Sequence, residues 1–196
     1  MLKIGLTGGI ATGKSYVLDR LRQHGVPCLA ADELAHGVTA AATEATASIA
    51  ARFGAGVLAA DGSVDRKKLG PMVFADPAAR RELEAIVHPA VHRAIAMGVR
   101  ASELMGDPLV VVDIPLLFET GAEKTFDKVI VTTCAPETQL ARLIARGLTE
   151  NAARQRLAAQ WPTEKKVARA DFVVTTDGSF AETDGQVDRV LKDLGM

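Results

Sequence analysis

The feature that most constrains this chain is a glycine-rich loop near its start. The run Leu2–Thr7 is mainly apolar and leads directly into a segment with the spacing G-x-x-x-x-G-K-S, from Gly8 to Ser15. A strand that enters such a segment and a helix that leaves it form a phosphate-binding loop. Successive backbone N–H groups then point into one concavity, and the helix adds the positive end of its dipole. The sequence therefore predicts a fold built around a bound nucleoside triphosphate.

Each residue type in this loop has a chemical reason. Gly8 and Gly13 permit backbone angles and close approaches that a side chain would forbid. Lys14 is expected to reach the β- and γ-phosphates, and the Ser15 hydroxyl is expected to bind Mg²⁺. A chance glycine-rich turn is disfavoured, because the flanking strand and helix are the context that the motif requires. The expected nucleotide contacts are Gly8, Gly9, Ile10, Ala11, Thr12, Gly13, Lys14, Ser15 and Tyr16.

Length, charge and cysteine content limit the class of protein. The 196 residues suffice for one well-buried core with at most an inserted or lid subdomain, and the net charge of −1 gives no global basic field for nucleic acid. Cys28 and Cys134 form no C-x-x-C pair, so a reducing cytosol is the simplest compartment. The apolar runs are too short to span a membrane. We expect a cytoplasmic monomer or small homo-oligomer without nucleic-acid or membrane partners.

Strand-like segments alternate with helical ones along the chain. Leu109–Asp113 and Lys128–Thr133 are largely apolar runs typical of strands buried on both faces. Cys28–Ala31 and Asp171–Thr175 bring the number of strands to five. This alternation predicts an α/β fold with a three-layer, doubly wound, parallel five-stranded sheet. No linker divides the chain, so residues 1–196 are expected to form a single domain.

Residues 39–104 read as mainly helical, which is more than one connection between parallel strands needs. Asp65 is expected to cap one of these helices. His88-Pro89 is expected to interrupt a helix that starts at Pro77, because proline disfavours helical geometry at the residue before it. We interpret residues 39–104 as a helical insertion that builds a second wall opposite the phosphate loop.

Two aspartates follow strands at the edge of the sheet where ligands gather in open α/β folds. Asp32 comes directly after the second strand, and its position alone does not decide between a helix N-cap and a catalytic carboxylate. Asp113 ends the third strand in the Walker B manner, in which a carboxylate assists Mg²⁺. Many buried strands also end in Asp for reasons of turn formation, so both interpretations of Asp113 stay open.

A basic segment precedes the last strand. Between Leu140 and Ala170, seven basic residues stand against two acidic ones. Any one of them is more often part of a solvated face, but together they predict a lid over about residues 140–170 whose arginines stabilise the transferring phosphoryl group. Arg142 and Arg146 lie one helical turn apart and are expected to share a face. Only Trp161 lies within the segment, so no aromatic platform for stacking bases is expected.

Together these motifs resemble the dephospho-CoA kinase family of P-loop kinases, nearly from end to end. The resemblance implies ATP-dependent phosphorylation of the ribose 3′-hydroxyl of dephospho-CoA, the last step of coenzyme A biosynthesis, with ATP as co-substrate and with Mg²⁺. The markers are Thr7-Gly8-Gly9-Ile10, Gly13-Lys14-Ser15, Ala31-Asp32, Asp65-Arg66, His88-Pro89, Pro115-Leu116-Leu117-Phe118-Glu119, Gln139, Arg142, Ala159-Gln160, Lys165 and Ala170-Asp171.

The resemblance also implies roles for single residues. Asp32 becomes the general base that accepts the proton of the 3′-hydroxyl, or at least orients that hydroxyl. Lys14 and Arg142 complete the catalytic set, and Arg142 contacts ATP from the lid. The insertion and the loop Pro115–Glu119 hold dephospho-CoA, and the implied contacts are Asp32, Arg66, His88, Leu116 and Phe118.

Three segments depart from the family pattern. Ala11-Thr12 stands where the family has Gly-Ser, and alanine is expected to cost little there unless a positive φ is required. Ala30-Ala31-Asp32 leaves one carboxylate after the second strand. Thr175-Thr176-Asp177-Gly178 lacks the asparagine that the family tends to have before the glycine, so an amide that reads the base is missing.

Two other functions remain open on the residues alone. One is another P-loop small-molecule kinase that acts on a nucleoside monophosphate or a sugar-like alcohol. The other is a GTPase-like switch or an ATP-driven regulatory module. A guanine-binding switch would want an N-K-x-D motif, and the chain has none.

Overall fold

A single parallel sheet organises the computed structural model, which describes residues 1–196. Its five strands confirm the predicted doubly wound α/β fold. The central strand pairs in parallel on both sides, with Leu6 opposite Asp113 on one side and Ile130 on the other. Strands buried on both faces need apolar side chains throughout, which explains the continuous apolar runs. The strands are β1 (Leu2–Gly8), β2 (Cys28–Ala30), β3 (Leu109–Asp113), β4 (Lys128–Thr133) and β5 (Phe172–Thr175). They lie in the order β2-β3-β1-β4-β5 across the sheet, so β1 is the central strand.

Nine α-helices connect and follow the strands. Side-chain oxygens of Thr43, Asp65, Thr149 and Ser179 cap four of them by accepting backbone N–H groups, and the predicted cap at Asp65 is confirmed. None of these helices combines the length and the apolar character that crossing a bilayer requires. They are α1 (Lys14–Gln23), α2 (Ala31–Val38), α3 (Glu44–Phe53), α4 (Arg66–Ala75), α5 (Pro77–Met105), α6 (Pro136–Ala145), α7 (Glu150–Ala158), α8 (Thr163–Val167) and α9 (Phe180–Asp193).

The chain divides into two compact units. Unit 1 combines Met1–Cys28 with Ser102–Met196, and unit 2 is Leu29–Ala101. One core of unit 1 is formed by Leu117, Phe118, Val129 and Val131. The core of unit 2 is formed by buried Ile49, Val57 and Leu69, against which Phe53, Val73, Leu83 and Val87 pack.

One local prediction is wrong, and one of the two interpretations left open for Asp32 is excluded. α5 runs through Pro89 as one helix of 29 residues, because a proline removes only one helical hydrogen bond and the buried residues Ala90 and Val91 beside it keep the helix packed. Asp32 does not cap α2. The chain passes from β2 straight into α2, so the N-cap position falls on Ala30 and Asp32 lies within the first turn.

Candidate active site

The glycine-rich loop turns from β1 into α1, and it needs glycine for two different reasons. A Cβ on Gly8 would lie 2.6 Å from Thr12 Oγ1 and 2.8 Å from the carbonyl oxygen of Thr132, so there is no room for one. Gly13 is the N-cap of α1 with φ of +80°, a left-handed conformation. The loop thus has the tight backbone path that lets its N–H groups converge on an anion.

Ala11 also has a positive φ, at +62°. The condition under which alanine was expected to be costly at this position is therefore met, because a left-handed conformation costs a residue with a Cβ about 1–2 kcal/mol. The methyl group is buried against Leu143 and Ala153, which offsets part of that cost. Ala11 therefore combines a strained backbone conformation with a well-packed side chain.

Hydrogen bonds from three threonine hydroxyls, those of Thr12, Thr132 and Thr176, hold the glycine-rich loop in place. Thr12 Oγ1 donates to the carbonyl of Gly9 at 2.8 Å and lies 2.7 Å from Thr132 Oγ1 on β4. Thr176 Oγ1, just after β5, donates to the Thr12 carbonyl at 2.9 Å. Thr132 and Thr176 were not among the residues predicted from the sequence. The signal for both was a threonine at the carboxyl end of an otherwise apolar strand.

Lys14 and Asp113 form an ion pair beside the loop, through Lys14 Nζ and Asp113 Oδ1. The register that sets Leu6 opposite Asp113 brings this carboxylate, at the end of β3, next to the glycine-rich loop. Ser15 follows in the first turn of α1 and is exposed. A hydroxyl and a buried carboxylate beside a phosphate-binding loop suit Mg²⁺, which prefers one or two protein oxygens together with substrate phosphates.

Arg142 is fixed to the loop through its guanidinium group. Nη1 donates to the Ala11 carbonyl at 3.1 Å and to Thr176 Oγ1 at 2.9 Å, and Nη2 donates to the Thr176 carbonyl at 2.6 Å. Arg146 lies one helical turn after Arg142, since its N–H donates to the Arg142 carbonyl at 3.2 Å, and their joint contact with phosphate stays a prediction. α6 ends at Ala145, so Arg146 is its C-cap, and its side chain is exposed and makes no hydrogen bond.

Two glutamines bracket Ile10. Gln139 Nε2 donates to the Ile10 carbonyl at 2.7 Å, and the Ile10 N–H donates to Gln160 Oε1 at 2.8 Å. A cavity of about 170 Å³ lies beside them and is lined by Gly9, Gln139, Leu157, Gln160, Trp161 and Thr163, among others. The resemblance to the family marks both glutamines but implies no role for them, and the structure shows them holding Ile10.

The side chain of Tyr16 contacts α9. Its hydroxyl donates to Asp184 Oδ1 at 2.7 Å, and its ring lies 4.7 Å from that of Phe180. This hydrogen bond, together with burial and the negative charge of Asp184, raises the pKa of Tyr16. The phenol therefore links the first turns of α1 to α9, and its contact with nucleotide stays a prediction.

Unit 2 contains a mainly apolar cavity of about 330 Å³. Arg66 and His88, two of the predicted substrate residues, both line it together with Glu84. The Arg66 guanidinium is held by the Ala35 carbonyl at 3.2 Å. Asp32, in the first turn of α2, is exposed, and its carboxylate makes no hydrogen bond or ion pair within the chain.

The two predicted substrate residues in the loop after β3 differ in exposure. Leu116 is exposed, whereas the Phe118 side chain is only 3% exposed and packs with Leu117, Val129 and Val131. Phe118 therefore has a packing role in the core of unit 1. The pattern Pro115–Glu119 could not separate an apolar core residue from an apolar ligand contact.

Comparison with known proteins gives one family. Residues 2–182 match the family model described as dephospho-CoA kinase. The dephospho-CoA kinase of Anaeromyxobacter dehalogenans (strain 2CP-C) is 49% identical over 195 residues, which cover 99% of this chain and 92% of that protein.

Two solved structures agree with this match. The crystal structure of TT1252 from Thermus thermophilus has a TM-score of 0.81 and 34% identity, covering 98% of this chain and 97% of that one. Dephospho-CoA kinase from Campylobacter jejuni has a TM-score of 0.76 and 29% identity, covering 98% and 96% of the two chains. Sequence, loop geometry and fold therefore agree, and this chain belongs to the dephospho-CoA kinase family.

Proposed function

We propose that this chain transfers the γ-phosphoryl group of ATP to the ribose 3′-hydroxyl of dephospho-CoA and releases coenzyme A and ADP. The observation that carries the proposal is the Gly8–Ser15 loop, with Lys14 beside the Asp113 carboxylate, in a member of this family. Phosphoryl transfer needs little covalent chemistry from the protein, and it depends on positioning and on compensation of charge. The loop and its cationic neighbours supply both.

Lys14 exchanges Asp113 for phosphate oxygens when ATP binds. Its ammonium group then neutralises charge on the β- and γ-phosphates. Ser15 would hold Mg²⁺, with Asp113 assisting directly or through water, and the bound ion would supply charge compensation for the phosphates. Arg142, anchored by Thr176 and Ala11 at the base of the lid over residues 140–170, contacts ATP.

Asp32 acts on the acceptor. Its carboxylate accepts the proton of the 3′-hydroxyl or orients that hydroxyl for attack. The exposure of Asp32 and the lack of any capping bond support this role, because nothing within the chain occupies the carboxylate.

Residues 39–104 provide the acceptor site in this proposal. The cavity of unit 2 combines an apolar lining with the guanidinium of Arg66, which suits a ligand that carries both an aliphatic arm and phosphate groups. Leu116 in the loop after β3 is a further contact. We also propose a cytoplasmic location, where ATP is available and the buried thiol of Cys134 stays reduced.

An acceptor panel tests the proposal. ADP release is measured with dephospho-CoA, nucleoside monophosphates and sugar-like alcohols, and the position of the new phosphate is assigned by NMR. Among these acceptors we expect turnover only with dephospho-CoA, and its loss when EDTA removes Mg²⁺. Turnover with another acceptor but not with dephospho-CoA would contradict the substrate assignment. ATP hydrolysis that is indifferent to every acceptor would instead favour a nucleotide switch.

A further inference from the structure

Lys166 is an entirely buried lysine that the proposed chemistry does not use. Its side chain, on α8, has no exposed surface. Nζ lies 2.8 Å from Glu119 Oε1, and it donates to the carbonyl oxygens of Gly8 at 3.4 Å and Pro115 at 3.5 Å. An ammonium group has three donors, and here it meets three acceptors.

Each acceptor belongs to a segment next to the phosphate site. Gly8 opens the glycine-rich loop, whereas Pro115 and Glu119 lie in the loop that follows β3. The Pro115 carbonyl also accepts from Thr7 Oγ1 at 3.1 Å, so side chains from β1 and α8 both hold the start of the loop after β3. Glu119 Oε1 accepts in addition from the backbone N–H of Trp161 at 3.2 Å.

Stability alone does not account for this pair. Removing two charges from water costs several kcal/mol per ion, and apolar replacements of buried pairs are often neutral or stabilising. Glu119 Oε2 is buried and has no hydrogen-bond partner, which adds to the cost. The apolar residues Leu117 and Phe118 pack in the core immediately before this carboxylate, so an apolar residue would fit the surroundings.

We propose that Lys166 and Glu119 are positioning residues for phosphoryl transfer. Lys166 holds the first residue of the glycine-rich loop and the loop after β3 in a fixed relation, and Glu119 fixes the ammonium group and the start of α8. Lys166 has no exposed surface with which to contact a substrate, so loss of the pair displaces reacting groups and leaves the nucleotide contacts in place. The inference rests on the proposed kinase function.

The decisive variant removes both charges at once, as Lys166→Met with Glu119→Gln. The glutamine still accepts from the Trp161 N–H, and no buried charge is left without a partner. We expect the melting temperature to stay within about 4 °C of wild type. We expect kcat to fall about 10²-fold, the loss that misplacement of reacting groups by about 1 Å produces.

The affinity for nucleotide distinguishes a defect in the positioning of reacting groups from a general loss of native structure. Trp161 is the single tryptophan of the chain and lines the cavity beside Gly9, so its fluorescence reports ADP binding. The Kd for ADP is expected to change by less than about threefold, because a positioning defect appears in kcat rather than in binding.

Two further variants calibrate the result. Glu119→Asp keeps both charges but shortens the carboxylate arm, and we expect kcat to fall about tenfold with an unchanged Kd for ADP. Lys128→Met with Asp171→Asn removes another ion pair of unit 1, which lies where β4 and β5 begin, away from the phosphate loop. This control is expected to lower stability and leave kcat unchanged.

The outcomes are decisive in each case. Wild-type kcat in the folded Lys166→Met/Glu119→Gln protein would overturn the inference, and so would a parallel fall of kcat, ADP affinity and melting temperature. If that protein does not fold, Glu119→Asp decides, and wild-type kcat in Glu119→Asp then overturns the inference. If the wild type phosphorylates a different acceptor, the proposed substrate fails, and the same comparison is made with that acceptor.

Discussion

At the scale of single residues, Gly8 shows how the lack of a side chain serves the site. An added Cβ would press on Thr12 and on the backbone of Thr132. We expect Gly8→Ala to weaken ADP binding at least about tenfold, because the loop must shift and its N–H groups no longer converge. Gly37→Ala is the matched control, since a Cβ at that helical position meets no atom within 4 Å. Equal ADP affinity in the two variants, measured by Trp161 fluorescence, would contradict this account.

Asp32 supports a second expectation at this scale. Asp32→Asn keeps the shape of the side chain but removes its basicity. We expect kcat with dephospho-CoA to fall by about 10²-fold or more, the range for loss of general-base help, while KM for ATP stays unchanged. Asp76→Asn is the control, because an asparagine can still accept the Ala78 N–H that Asp76 accepts. An unchanged kcat in Asp32→Asn would remove Asp32 from the mechanism.

The residues of the site that could be predicted are those whose role is set by a motif of adjacent residues in the sequence. Lys14 and Ser15 follow from the glycine spacing, and the structure places Lys14 beside Asp113. Thr132, Thr176 and Lys166 could not be found in this way, because each meets the loop from a strand end or helix more than a hundred residues away. The positive φ of Ala11 was foreseen only as a condition, because the sequence shows that alanine stands in place of a glycine but not which backbone angle it adopts.

At the scale of elements, α9 begins with a reciprocal capping box. Ser179 Oγ accepts the Glu182 N–H, and the Glu182 carboxylate accepts the Ser179 N–H. We expect Ser179→Ala to lower the free energy of unfolding by about 1 kcal/mol, measured by urea titration. The backbone and hydroxyl hydrogen bonds from Ser179 lower the pKa of Glu182 below its usual 4.5. The effect of Ser179→Ala should therefore be full at pH 7 and smaller once acid protonates Glu182.

Element boundaries were predictable to different degrees for a physical reason. β3 and β4 have the predicted bounds, because strands buried on both faces leave a continuous apolar signal. α5 was predicted as two helices, because the local rule for Pro89 carries no information about the core contacts that keep the helix whole. Local sequence was also insufficient for α2. Asp32 lies in the first turn and not at the N-cap because β2 ends at Ala30 and α2 begins at the next residue.

At the scale of the whole molecule, stability is expected to depend on Asp171 at low pH. Burial raises the pKa of Asp171, but hydrogen bonds from Lys128 and the Val129 N–H, with the Lys128 charge, outweigh it and lower the pKa below 3.8. Because folding lowers this pKa, the carboxylate stabilises the fold above pH 3.8, and the stabilisation is lost as the pH falls through the lowered value.

Asp171→Asn tests this dependence by thermal unfolding across pH. We expect a lower melting temperature than wild type at pH 7, and a difference that shrinks as the pH falls below 3.8. A difference of constant size from pH 7 to pH 3 would mean that the loss is steric rather than electrostatic. The parallel sheet followed from the alternation of strands and helices, whereas the place of β1 at its centre is known only from the structure.

The proline within α5 has a consequence for how that helix opens. Pro89 has no N–H, so the carbonyl of Ala85 lacks its helical donor and the hydrogen-bond ladder is interrupted although the helix is continuous. Leu83 and His88, just before this gap, line the cavity of unit 2. In amide hydrogen exchange, α5 should therefore behave as two segments with separate opening rates, and a ligand in the cavity should slow exchange in the segment before Pro89 more than in the segment after it.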